Sequence, residues 1–130
     1  MPTFNGKSAA KLLTCDVMLQ RLFNEVIKTH DCTVIEGHRD QATQDEYFRT
    51  GKSQKKWPDG KHCSTPSRAV DVMPCPINWH DRAGIELFAH VVQVKAKEMG
   101  IQIRWGGDWD QDGLSSDEKF FDGPHYELVG

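Results

Sequence analysis

An aspartate stands in the middle of an apolar run, Arg68-Ala69-Val70-Asp71-Val72-Met73. Side chains alternate along a strand, so Val70 and Val72 share one face and Asp71 takes the other. A carboxylate in a short buried strand is costly unless a cation or hydrogen bonds satisfy it. The fold must therefore bring compensating groups to Asp71 from elsewhere in the chain. Just upstream, Lys61-His62-Cys63-Ser64-Thr65-Pro66 is a polar, proline-broken loop that offers His62. Near the C-terminus, Asp122-Gly123-Pro124-His125-Tyr126-Glu127-Leu128 opens a second alternating run at His125, with Tyr126 and Leu128 on its core side. Two histidines and an aspartate on neighbouring strands would give three ligands and one open position, the usual plan of a catalytic zinc ion.

The rest of the chain supplies helices to cover such strands. Residues 8–30 carry Val17, Met18, Leu22, Phe23, Val26 and Ile27 at helical spacing, with Thr14 or Asp16 as N-cap. Cys32-Thr33-Val34-Ile35 is short and β-branched, a strand leading into Glu36-Gly37-His38-Arg39. Asp40 caps a helix from Gln41 to Arg49 that Gly51 closes. After Pro74-Cys75-Pro76, Asp81 starts a third helix with an apolar stripe of Ile85, Phe88, Val91, Val92 and Met99, ended by Gly100. Ile101 to Trp105 and His125 to Val129 alternate as strands. The pattern predicts an α+β fold: a small, mainly antiparallel sheet, helices mostly on one face, and a zinc site at the sheet edge.

With 130 residues, one domain spanning 1–130 is expected, with little room for a second module. A net charge of −3 argues against a nucleic-acid partner, whose binding modules carry a basic face. No apolar run approaches the roughly 18–20 residues of a membrane span, so no membrane insertion is expected. Met1-Pro2-Thr3-Phe4-Asn5-Gly6-Lys7 lacks the basic flank and apolar core of a secretory signal. Cys15, Cys32, Cys63 and Cys75 form no CxxC pair and are read as reduced thiols.

A hydrolytic zinc site needs a general base for the attacking water and a cation for the developing oxyanion. Asp122, three residues before His125 across a Gly-Pro turn, is the candidate base, and Arg39 the candidate cation. Cys63 is chemically competent to replace His62 as a ligand. A bland reading stands beside each: Asp-Gly-Pro is a good turn in its own right, and a loop histidine is often only a surface residue. The loop 52–61, with Lys52, Lys55, Lys56 and Lys61 around Trp57-Pro58-Asp59-Gly60, is either solvated or a basic lip for an acidic substrate. In the loop from Asp108 to Glu118, Asp108, Asp110 and Asp112 match the first half of a calcium loop. Its closing position holds Lys119 instead of glutamate, so a regulatory Ca²⁺ and a plain acidic turn both remain open.

Taken together, Gly37-His38-Arg39, Lys61-His62 through Arg68-Ala69-Val70-Asp71, and Asp122-Gly123-Pro124-His125-Tyr126-Glu127-Leu128 resemble the zinc D-alanyl-D-alanine carboxypeptidase and L-alanyl-D-glutamate endopeptidase family. Thr14-Cys15, Ile77-Asn78-Trp79 and Trp105-Gly106-Gly107-Asp108-Trp109 extend the likeness to the compact phage endolysins of that family. The resemblance implies Zn²⁺ on His62, Asp71 and His125, acid/base catalysis by Asp122, and substrate contacts by Arg39 and Gln44. Gly60 and Ser67 replace the commoner Ser and Gly, and the interval from His62 to Asp71 is two residues longer than usual.

The implied function is hydrolysis of the L-alanyl-D-glutamate bond of bacterial peptidoglycan stem peptides, leading to host lysis. A D-alanyl-D-alanine carboxypeptidase is the rival of the same chemistry; a non-catalytic wall-binding or virion module is the rival of another class. The resemblance further implies a monomer made in the host cytoplasm and acting on the peptidoglycan layer after release.

Overall fold

The computed structural model describes residues 3–53, 55–108 and 121–129. Four helices, α1 (Gly6–Leu12), α2 (Val17–Val26), α3 (Gln41–Arg49) and α4 (Arg82–Met99), accompany strands β1 (Cys32–Glu36), β2 (Ala69–Pro74), β3 (Ile103–Trp105) and β4 (His125–Leu128). The strands form one antiparallel sheet in the order β1-β2-β4-β3. The architecture is α+β, as the sequence pattern predicts. Among the described residues, no helix is long and apolar enough to cross a membrane.

The expected first helix is two helices. Asp16 accepts from the backbone N–H of Met18 at 2.9 Å, which starts α2 afresh. At the corner, Thr14 Oγ1 donates to the Lys11 carbonyl at 2.6 Å, and Cys15 pairs with Ser67 in an isolated bridge. Helical periodicity on both sides of the corner conceals the break, because α1 and α2 each turn apolar residues to the same core. The third strand is shorter than expected for a related reason. Gly100, at φ 71°, ends α4, and Ile101 N–H bonds back to Ala96 O at 2.9 Å, so Ile101 completes the helix cap instead of joining β3.

The two faces of the sheet have different jobs. Val34 pairs with Val72, Val70 with Tyr126, and Ile103 with Leu128. This face meets α4, which also packs on α2, and Leu19, Leu22, Phe23, Val26, Phe88 and Val92 fill the space between. Phe23 stands edge-on to Tyr126 with ring centroids 5.4 Å apart. Cutting Phe23 back to alanine would cost about 3–5 kcal/mol by the usual response of such cores. On the opposite face Glu36 pairs with Asp71, Asp71 with His125, and Arg104 with Glu127. Period-two alternation thus assigns Asp71, His125 and Glu127 of the central strands to one side, away from α2 and α4.

Candidate active site

Asp71 is central to the polar face. Its Oδ1 lies 3.0 Å from His62 Nε2 and 3.4 Å from His125 Nδ1, while its Oδ2 lies 3.6 Å from Arg39 Nη2. Direct pairing of Asp71 with His125 across β2 and β4 sets two of these groups side by side. His62 comes from a single 3-10 turn, Lys61–Cys63, whose backbone is tied to both ends of the site. Its carbonyl accepts from Arg39 N at 2.8 Å, and the Lys61 carbonyl accepts from Arg68 N at 2.9 Å, just before β2. Between His62 and Asp71 the chain docks Ser67 on the α1–α2 corner: Ser67 N donates to Thr14 O at 2.9 Å, and Asp16 N donates to Ser67 O at 2.8 Å.

The position of the site corrects one expectation. Asp71 and His125 lie on β2 and β4, the two inner strands, so the cluster occupies the face of the sheet and not its edge. An inner position brings two adjacent ladders to bear on the ligand-bearing residues, which an edge strand cannot do. The 3-10 turn then covers them, and His62, Asp71 and His125 are all buried.

One ligand atom from each of His62, Asp71 and His125 lies within 4.8 Å of the others, a grouping fit to hold a metal ion. Cys63 is buried but is not in that grouping. The outer ring nitrogens agree with a metal role. His62 Nδ1 is 2.7 Å from the Gly37 carbonyl, which can only accept, so Nδ1 carries the hydrogen and Nε2 turns its lone pair inward. His125 Nε2 is 2.8 Å from Glu127 Oε1, which likewise leaves Nδ1 facing Asp71. Two inward lone pairs and a carboxylate repel one another unless a cation or a proton lies between them. An N, O, N donor set whose outer N–H groups are engaged fits zinc well.

Without a metal, protons take up that role. Burial disfavours the His125 imidazolium, but hydrogen bonds to Asp71 and Glu127 outweigh it and raise the pKa to about 9. Burial likewise opposes ionisation of Asp71, yet His62 and His125 hold its carboxyl well below the usual range. Asp122 responds the other way: burial first, then the neighbouring Asp71 charge, raise it to about 6. Its Oδ2 is 3.9 Å from His125 Nδ1, and its backbone N–H donates to Gly106 O at 2.8 Å.

Arg39 is held from three sides. Its guanidinium makes paired bonds to Glu36 at 3.0 and 3.1 Å, donates to Gln44 Oε1 at 2.8 Å, and lies 4.6 Å from the Tyr47 ring centre. Gln44 is fully buried, and its Nε2 donates to Ser53 Oγ at 3.0 Å and Lys55 O at 2.5 Å. Its amide is therefore used inside the protein and reaches the site through Arg39. Of the loop lysines, Lys52, Lys55 and Lys56 are exposed, whereas Lys61 turns in to Glu127 at 3.4 Å. Asp108 is buried; Asp110 and Asp112 lie outside the described residues.

Glu36, Glu127 and Tyr47 escaped the sequence reading. Glu127 had a signal, since it is two residues from His125 on one strand and must share its face. Glu36 and Tyr47 had none, because their roles depend on how the chain turns between β1 and α3.

The chain is similar in sequence and fold to known proteins. The L-alanyl-D-glutamate peptidase of Escherichia phage T5 is 30% identical over 135 residues, 97% of each chain. The crystal structure of Serratia marcescens L-Ala D-Glu endopeptidase ChiX matches with a TM-score of 0.77 at 28% identity, over 98% of this chain and 90% of that one. The family model of the phage L-alanyl-D-glutamate peptidases matches residues 2–129, nearly the whole length. A match of that extent, together with the fold and the clustered His62, Asp71 and His125, means that the chain belongs to the phage L-alanyl-D-glutamate peptidase family.

Proposed function

We propose that the protein is a zinc-dependent endopeptidase that cuts the L-alanyl-D-glutamate bond of peptidoglycan stem peptides and acts as a phage endolysin. The observation that carries this reading is the convergence of His62, Asp71 and His125 within 4.8 Å, with the Asp122 carboxylate 3.9 Å from His125. The names of the phage T5 and Serratia relatives support the choice of bond.

Zinc held by His62, Asp71 and His125 would supply Lewis acidity, lowering the pKa of water and polarising the scissile carbonyl. The protein's own groups do the rest. Asp122 takes a proton from water as the oxygen attacks the carbonyl carbon, then gives it to the amide nitrogen as the C–N bond breaks. Arg39 provides fixed positive charge beside Asp71 for the oxygen that becomes negative. Glu36, Gln44 and Tyr47 keep the guanidinium in place, so little reorganisation is needed during reaction. The chain works as one catalytic unit and as a monomer, made in the host cytoplasm and acting on the wall after release.

Mass spectrometry of purified peptidoglycan digested with and without chelator tests the proposal. New N-terminal D-glutamate, dependent on metal, is the expected product. Release of terminal D-alanine alone would assign the carboxypeptidase reaction, and no product at all would leave a wall-binding role.

A further inference from the structure

Glu127 ties together three parts of the polar face. It is 5% exposed, and both its oxygens are engaged. Oε1 faces His125 Nε2 at 2.8 Å; Oε2 lies 2.8 Å from Arg104 Nη2 and 3.4 Å from Lys61 Nζ. Lys61 immediately precedes His62 and also donates to the Leu128 carbonyl. One carboxylate thus touches the strand that carries His125, its neighbour β3, and the turn that carries His62.

We propose that Glu127 is a positioning residue of the metal centre: it holds the hydrogen of His125 on Nε2 and, through Lys61, fastens the His62 turn to β4. This rests on the reading that His62, Asp71 and His125 bind zinc. The competing explanation is a charge pair that serves stability alone. Exposure argues against it. The side chains of Arg104 and Lys61 are 37% and 30% exposed and can turn to water, whereas those of Glu127 and His125 are 7% and 9% exposed and cannot. The contact that depends on Glu127 is therefore the one at the histidine. A carboxylate behind a metal-bound imidazole fixes its tautomer and strengthens it as a donor.

The test compares the zinc-loaded protein with Glu127→Ala, Glu127→Gln and Lys61→Met. Zinc affinity is read by competition with a chromophoric chelator, and ring protonation by long-range ¹H–¹⁵N correlation of the imidazoles. In the unaltered protein His125 should ligate through Nδ1 with its proton on Nε2, and His62 the reverse. Glu127→Ala should bind zinc about 10–100-fold more weakly, as losing such a partner typically does. Glu127→Gln keeps an acceptor oxygen and should fall between. Lys61→Met should weaken binding without moving the His125 proton. Undiminished zinc affinity in Glu127→Ala, or a His125 bound through Nε2, would overturn the proposal. If Glu127→Ala does not fold, Glu127→Gln and the ring measurement on the unaltered protein still decide. Failure of the unaltered protein to bind zinc would instead remove the metal reading beneath it.

Discussion

Gly106 is packed against Asp122 with no room for a side chain. A Cβ at Gly106 would stand 2.2 Å from the Asp122 carbonyl oxygen and 2.9 Å from His125 Cβ. Backbone cannot yield to such a contact without moving, so Gly106→Ala should displace the proposed base and a proposed ligand together. Misplacement by about 1 Å commonly costs about 100-fold in rate, and that loss is expected in peptide release from purified peptidoglycan at saturating zinc. Overpacking should also lower the thermal midpoint by an amount equivalent to about 1–3 kcal/mol.

Asp122→Asn separates proton transfer from metal binding. The amide has nearly the same shape but no basic oxygen, so kcat should drop about 10²–10⁴-fold. Zinc affinity should stay close to that of the unaltered protein, because Asp122 is outside the three-residue grouping. Normal turnover by Asp122→Asn would remove it from the base role.

Alanine at His62, Asp71 or His125 should abolish both zinc binding and hydrolysis, and chelation of the unaltered protein should reproduce the loss of activity. Zinc at about 100 times its Kd should raise unfolding free energy by about 2.7 kcal/mol. Differential scanning calorimetry with and without zinc reads this directly. The same addition should leave the melting of His125→Ala unchanged.

The pH dependence of the chelated protein follows from shifts of known sign. His125 is raised from 6.5 to about 9, so its contribution is complete below 6.5 and disappears as pH climbs through 9. Asp122, raised from 3.8 to about 6, favours the folded state at low pH and gives this up as pH passes 6. Glu127 is pulled down from 4.5 to about 2 because its bonds to His125 and Arg104 outweigh burial, so its contribution is complete above 4.5 and is lost as pH falls from there through 2. Urea midpoints of the chelated protein should therefore decline from pH 6.5 to 9. Zinc should flatten that decline, since a ligated Nδ1 has no proton to lose.

Tyr126 offers a prediction about the core. It is fully buried between Phe23 and Phe88, and its hydroxyl has no hydrogen-bond partner among the described residues. An unsatisfied buried hydroxyl costs about 1–3 kcal/mol. Tyr126→Phe should hold or raise the thermal midpoint with activity intact, as a melting curve and a hydrolysis assay would report.

How much of this was readable before folding depended on range. Asp71 between Val70 and Val72 declared both a strand and a polar face, because alternation is a local rule. Helix ends with side-chain caps, Asp40 and Asp81, were equally plain. The break at Thr14–Asp16 was hidden because what makes it, Ser67 bonding to both sides, comes from fifty residues away. Strand order was also out of reach. Nothing in the order of the segments says that β4 inserts between β2 and β3, which puts Asp71 and His125 on the two inner strands. Arg39 and Gln44 were marked by resemblance, but the way Gln44 works, spent wholly on Arg39, Ser53 and Lys55, appears only in three dimensions.

The cross-strand register of Asp71 with His125 also bears on how the protein is handled. A hydrogen-bonded ladder, not the ion, keeps those two side chains adjacent, so stripping the metal should leave a folded sheet with its chelating pocket intact. Unlike a zinc finger, which collapses when emptied, this enzyme should tolerate dialysis against chelator and regain full activity on reloading with zinc.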